Sequence, residues 1–236
     1  MHPPIPAGHD PAHPAVRLVV VPGLGLDARS WTPVVAHLEM PVEVRTPPGY
    51  GRPATAVDEL SPATLGARLG RELAAVSVVI AGHSSGAQVA AHAARAAQRA
   101  GAAVAGLVLV GPTTDPRACG WARLAARWLR TAAHEDPRQV PGLVRQYGGT
   151  GLRTMARAMD RARRDDLRLT LAGVAAPVRV VRGPHDRICP TDWAAMITPD
   201  VVTLPAGGHM VPSTHGSEVA AAIGEFVGGC LPRRAP

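Results

Sequence analysis

The 236-residue sequence contains no lysine, no asparagine, a single phenylalanine (Phe226) and only two tyrosines. With aromatic residues at 3%, it has little from which to build stacking platforms for single-stranded nucleic acid, and its core must be assembled from Ala, Val and Leu. Three cysteines, Cys119, Cys189 and Cys230, are odd in number and show no CxxC or Cys/His spacing. That argues against a disulfide framework or a zinc site and fits a reducing compartment. No apolar run reaches membrane-spanning length, so no membrane association is expected. Met1 to Pro14 alternate Pro, His and Gly without the charged and apolar regions of a signal peptide. The expectation is a cytoplasmic, bacterial protein with a disordered leader over residues 1–15. No metal and no organic cofactor are implied.

What is present describes a globular chain. Hydrophobic residues make up 46% and charged residues 18%, with a formal net charge of +7. All 25 basic residues are Arg, and together with abundant Ala, Gly and Pro this is the composition a GC-rich coding sequence imposes. The densest basic stretch, Arg153 to Arg168, is interleaved with Asp160, Asp165 and Asp166 at helical spacing. Pairing at i,i+3 and i,i+4 on a solvated face accounts for it, so no nucleic-acid partner is expected.

Along the chain, Val16 to Val21 is a β-branched run ended by Pro22-Gly23, the pattern of a buried strand. A helix is predicted over Ser30–Glu39, a strand over Val42–Thr46, a helix from the Ser61-Pro62 cap to Val76 and a strand over Val78–Ala81. A helix over Ala87–Ala100 and a strand over Val104–Val110 follow. Strands alternating with helices predict βαβ units: an α/β fold with a mostly parallel sheet covered on both faces. The alternation breaks after Gly111-Pro112, and the next strand is Val178–Val181. A gap of that length is not a structureless loop. Trp121, Leu124, Ala125, Trp128 and Leu129 recur at helical spacing, as do Leu152, Met155, Ala156 and Met159. Residues 113–176 therefore read as a helical cap inserted into a core of residues 16–112 and 177–230. A strand over Val201–Leu204 and a helix over Ser217–Val227 complete the core.

The chemistry-bearing segment is Val78-Val79-Ile80-Ala81-Gly82-His83-Ser84-Ser85-Gly86-Ala87: a buried strand, then Gly-x-Ser-x-Gly, then a helix. At so tight a turn the serine backbone is strained, and a Cβ at Gly82 or Gly86 would collide with neighbouring chain. Ser84 is held at a helix N-terminus, which favours developing negative charge. A serine hydroxyl needs a base, and the base needs an orienting group. Asp186 and His209 each follow a strand and so lie on loops at the carboxyl edge of a parallel sheet, as Ser84 does. Asp115, after Val104–Val110, is the rival acid; His83 and His185 are the rival bases. Cys189 reads as packing.

This arrangement resembles the α/β-hydrolase family over about Val16 to Val227. Gly82-His83-Ser84-Ser85-Gly86 matches its nucleophile elbow, Asp186 in Gly183-Pro184-His185-Asp186 its acid, and His209 in Gly207-Gly208-His209 its base. The oxyanion loop, commonly His-Gly followed by an apolar residue, is Pro22-Gly23-Leu24 here, with a downstream Trp31. The resemblance implies an oxyanion hole formed by the backbone N–H groups of Leu24 and Ser85. Pro22 replaces an imidazole that braces that loop in the family, and the two leading antiparallel strands of the family have no counterpart in the Pro-rich start.

The implied function is a capped serine hydrolase acting through an acyl-enzyme on an ester, thioester or lactone of a small, mostly apolar molecule. Trp121, Trp128 and Met210 are candidate pocket walls. Carbon–carbon bond hydrolysis would use the same triad, whereas epoxide hydrolases and haloalkane dehalogenases need a carboxylate where Ser84 stands. Two alternatives are a cyclase, lyase or isomerase of secondary metabolism on the same fold, and a non-catalytic small-molecule binder.

Overall fold

The computed structural model describes residues 16–73 and 77–230. The expected leader over 1–15 lies outside the described residues. Six strands form one sheet: β1 (Arg17–Val21), β2 (Val42–Val44), β3 (Ser77–His83), β4 (Ala103–Val110), β5 (Val178–Arg182) and β6 (Val201–Thr203). All neighbours pair in parallel, in the order β2-β1-β3-β4-β5-β6.

The central strands β1, β3 and β4 read as near-continuous apolar runs because both faces of the sheet are covered. Val19, Val21, Val78 and Ile80 face one core, while Leu18, Val20, Val79 and Ala81 face the other. The first core is closed by α2 (Pro62–Glu72) and the alanine-rich α3 (Ser85–Arg99), the second by α1 (Thr32–Val35) and α10 (Gly216–Cys230). Small side chains on α3 let it lie close to the sheet, so a core poor in aromatics still packs. The few large rings sit at its edges, with Tyr50 and Trp193 in one layer and Trp31 and Phe226 in the other.

Between β4 and β5 the chain carries α4 (Trp121–Ala132), α5 (Val140–Thr150), α6 (Leu152–Ala162) and α7 (Leu167–Leu171). Two helices beyond the sequence reading are α8 (Thr191–Ile197) and the four-residue α9 (Val211–Thr214). The helix expected over Ser30–Glu39 is shorter than predicted. A 3-10 turn, Ala28–Trp31, leads into α1, which ends at Val35. The chain must then reverse so that the Leu18 N–H can bond the Pro41 carbonyl at the start of β2. Among the described residues no helix is long and apolar enough to cross a membrane.

The register of the ladder positions the functional loops. The Ser84 N–H bonds the Val110 carbonyl (2.9 Å), the Gly111 N–H the Val181 carbonyl (2.8 Å) and the Leu204 N–H the Arg182 carbonyl (2.8 Å). The loops after β3, β4, β5 and β6 thus emerge side by side at the carboxyl edge of the sheet.

Candidate active site

Ser84 sits between β3 and α3 with φ 56° and ψ −125°, and it is the only non-glycine with positive φ among the described residues. Such a backbone persists only where the surroundings enforce it. Enforcement comes from closeness on both sides: a Cβ on Gly82 would run into the Gly86 carbonyl, and one on Gly86 into the carbonyl of Pro22. The strain presents Ser84 at the start of a 15-residue helix, where the first N–H groups have no intrahelical acceptor.

Across the sheet edge, Asp186 Oδ2 lies 2.8 Å from His209 Nδ1, both residues being buried. The other carboxylate oxygen accepts from the N–H groups of Ile188 and Cys189, each at 2.9 Å. Burial by itself would push the Asp186 carboxyl up; the His209 ring and these N–H groups outweigh it and hold it below the usual carboxylate range. Burial likewise opposes a charged His209, but the charge and hydrogen bond of Asp186, with the charge of Glu135, raise it above its ordinary 6.5. With Nδ1 committed to Asp186, Nε2 is the ring nitrogen that remains. Gly111 passes beneath the pair: a Cβ there would lie 2.9 Å from Asp186 Oδ2 and 3.1 Å from His209 Nδ1.

Three side chains that sequence reasoning did not single out for this purpose hold the constellation. Arg182, buried at the end of β5, donates to the carbonyls of Asp186 (3.1 Å) and Cys189 (2.7 Å). His83 donates from Nε2 to the His209 carbonyl (2.9 Å), because a carbonyl can only accept. Burial, aided by the neighbouring His209, pushes the His83 ring down to about 3, so it stays neutral. Glu135, just beyond α4, accepts from the N–H groups of both His209 and Met210 through Oε1. The main chain of His209 is therefore held at its N–H from the inserted segment and at its carbonyl from the elbow strand.

Two adjoining cavities meet at this edge. A cavity of about 150 Å³ is lined by Gly23, Leu24, Ser84, Tyr147 and Met155, among others. Its neighbour, of about 210 Å³, lies under α4 and α5, and Trp128, His209 and Met210 belong to both walls. Leu24 lines the smaller cavity, and its loop is shaped by bonds from Gly25 N–H to the Gly49 carbonyl and from Leu26 N–H to the Gly23 carbonyl, both 2.9 Å. The Ser85 N–H is the first of α3.

The structure brings Ser84, His209, Leu24, Trp128 and Met210 to these cavities, with Asp186 behind His209, and leaves Trp121 out. Trp121 lines neither cavity; it is 49% exposed, with the Arg163 guanidinium 5.0 Å above its ring. The α4 stripe has the expected period, but only Leu124 of its large members is buried, and Leu129 is 71% exposed. Periodicity identifies a face without saying what that face meets. Tyr147, Met155 and Met159 line the smaller cavity instead. Asp115 is turned to another use: its buried carboxylate pairs with Arg117 (2.8 Å) and Arg127 (2.7 Å) and caps the 3-10 turn Pro116–Ala118. His185 is exposed and stacks on His134 at 4.5 Å. The Cys189 thiol is buried, which pushes its pKa well up. Among the described residues no group of three or more His, Cys, Asp or Glu is placed to hold a metal ion.

The fold agrees with comparisons to known proteins. No curated protein matches the sequence. Solved structures with the same architecture include a type II thioesterase from the borrelidin biosynthetic cluster, 22% identical, covering 92% of this chain and 95% of its own, with a TM-score of 0.64. A lipase-esterase related protein from Clostridium acetobutylicum has 13% identity, coverages of 89% and 93% and a TM-score of 0.69. A thermophilic esterase from Thermogutta terrifontis has 18% identity, coverages of 92% and 91% and a TM-score of 0.62. At these identities the likeness is one of fold. A sequence model of the α/β hydrolase family matches residues 18–222, from β1 into α10 and across every functional loop, and the chain belongs to that family.

Proposed function

We propose that this protein is a serine hydrolase that cleaves an ester, thioester or lactone of a small, mostly apolar molecule through an acyl-enzyme. The observation that carries the reading is the placement of Ser84, on its strained elbow, and His209, tied through Nδ1 to Asp186, on the wall of one cavity. As Ser84 Oγ attacks the carbonyl carbon, its proton passes to His209 Nε2. The Asp186 carboxylate fixes the tautomer and stabilises the imidazolium. The carbonyl oxygen gains the electron pair and rests on the N–H groups of Leu24 and Ser85, helped by the N-terminal dipole of α3. Collapse of the adduct expels the leaving heteroatom, which takes the proton from His209. Water then repeats the sequence: His209 removes its proton, the hydroxide attacks the acyl carbon, and Ser84 leaves as the restored hydroxyl.

The test is covalent labelling by a fluorophosphonate together with turnover of p-nitrophenyl esters of increasing chain length. Because one structural relative is a thioesterase, an acyl thioester belongs in the panel. Stoichiometric labelling at Ser84 with ester or thioester turnover is expected. Absence of labelling would point to the binder; labelling without hydrolysis of any carbonyl substrate would point to lyase or cyclase chemistry.

A further inference from the structure

The mechanism assigns a direction to the site. The carbonyl oxygen must meet the N–H groups at Leu24 and Ser85, and the leaving heteroatom must meet the proton on His209, so the two halves of the substrate depart from Ser84 on different sides. The cavities divide along that line. The smaller one touches Gly23, Leu24, Ser84 and His209. The larger one touches His209 and Met210 and includes neither Ser84 nor the oxyanion loop in its wall. We infer that the cavity under α4 and α5 is the leaving-group chamber, that the cavity at Ser84 is the acyl chamber, and that Trp128 is the partition between them. The inference rests on the serine-hydrolase reading given above.

The walls define the chemistry each chamber accepts. A cavity near 150 Å³ holds a benzene-sized group, so the acyl chamber suits an acyl chain of about six carbons or fewer. The larger chamber presents Trp128, Val140, Leu143 and Ile188. Most of its polar side chains are already engaged: Thr131 donates to the Arg127 carbonyl and accepts from the Arg187 N–H, Glu135 accepts from His209 and Met210, and Gln139 donates to Glu135, its buried Oε1 alone being left without a partner. Although the chain carries a formal charge of +7, no arginine lines this chamber, and its charged side chains are the carboxylates of Glu135 and Asp136. An anionic group would meet two carboxylates, and the one lining group able to take a positive charge, His209, is neutral when it accepts the Ser84 proton. The leaving group this chamber takes is an uncharged, apolar alcohol or thiol.

The test varies the two halves of the ester separately in the wild-type protein and in Leu143→Trp, which adds volume inside the larger chamber. One series keeps an acetyl group and changes the alcohol from methyl to butyl, benzyl and 4-carboxybenzyl. The other keeps one alcohol and lengthens the acid. Leu143→Trp is expected to lower kcat/KM for the benzyl ester at least about tenfold more than for the methyl ester, as differences of this size in an apolar pocket do. The order of preference in the acid series should persist. In the wild type, the 4-carboxybenzyl ester should react more slowly than the benzyl ester. A changed order in the acid series, or equal effects on methyl and benzyl esters, would overturn the assignment. Val140→Phe and its melting curve give a second variant should Leu143→Trp not fold. A pre-steady-state burst of alcohol equal to the enzyme concentration reports the acyl-enzyme. Its absence at every substrate, combined with absence of fluorophosphonate labelling, overturns the hydrolase reading and the chamber assignment together, whereas a burst or labelling with the acid series reordered overturns the assignment alone.

Discussion

The carboxylate of Glu135 and the main-chain N–H of His209 are hydrogen-bonded across 74 residues of sequence, and the same oxygen takes the N–H of Met210. The segment between β4 and β5 thereby grips the backbone of the proposed general base. Glu135→Ala leaves two N–H groups without their acceptor and frees the loop, and kcat should fall by about tenfold to a hundredfold, as small misplacements of a reacting group do. Glu135→Gln keeps an acceptor oxygen and removes the charge, so it should retain most of the rate. Because that charge helps raise His209, the acidic limb of its pH profile should also move to lower pH. A purely architectural role for Glu135 would lower the melting temperature and leave the limb in place.

Ser84→Ala should abolish labelling and reduce hydrolysis by about a thousandfold or more, since members of a triad act as a unit. The fold should survive, because the elbow already holds a β-carbon at that position. A variant keeping more than about a tenth of the wild-type rate would sink the nucleophile assignment.

The two aspartates separate by assay. Asp186→Asn should lower the rate about a thousandfold or more, because an amide favours the wrong tautomer of His209. Asp115→Asn loses charge-assisted bonds to Arg117 and Arg127 at the base of α4 and should cost about 2 kcal/mol of stability with a modest change in rate. Thermal melts and kinetics on the two variants check both halves of the statement.

The pH dependence has a definite sign. His209 is raised above 6.5 by Asp186 and Glu135 and must be neutral to accept the Ser84 proton, so kcat/KM should rise with pH through one ionisation centred above that value. Activity is lost as pH falls through it. His83, held near 3, adds no second step. A profile flat between about pH 5 and 8 would contradict the assignment of His209 as base.

Trp128 is 42% exposed yet lines both cavities. Trp128→Ala should merge the chambers and blunt selectivity for both halves of the ester. Loss of stability should stay below the roughly 3 to 5 kcal/mol of a fully buried aromatic. Chain-length profiles and a melting curve on one preparation decide it: an unchanged ranking with a large loss of stability would make the residue core.

Much of this was legible where the signal is local. Val16–Val21 and Val78–Ala81 announce buried strands because both faces of a covered parallel sheet demand apolar side chains, and Gly82-His83-Ser84-Ser85-Gly86 announces the elbow because so few backbones fit there. Asp115 and Asp186 each follow a strand, and the Gly-x-x-Asp turn favours Asp186. A finer local signal does separate them: Asp27, Asp115, Asp136 and Asp166 each cap a helical turn by accepting from the N–H of an arginine two residues on, and Asp-x-Arg marks Asp115 as one of this set. Glu135 had no such mark. Its partners lie far along the chain, and its role exists only once α4 has folded back over the β6 loop. For the same reason the α4 stripe gave its helix and not the surroundings of Trp121.

Sheet loops carry Ser84, Asp186 and His209, while one uninterrupted stretch between β4 and β5 supplies Trp128, Leu143 and Tyr147 to the cavity walls. That layout invites transplanting the stretch from a relative to reprogramme selectivity. Glu135 limits the exchange, because the donor stretch would have to deliver an acceptor to the His209 and Met210 N–H groups at the same depth. On the proposed mechanism, then, substrate choice and turnover are inherited together, and a graft chosen only for its pocket should yield a binder with a slack base.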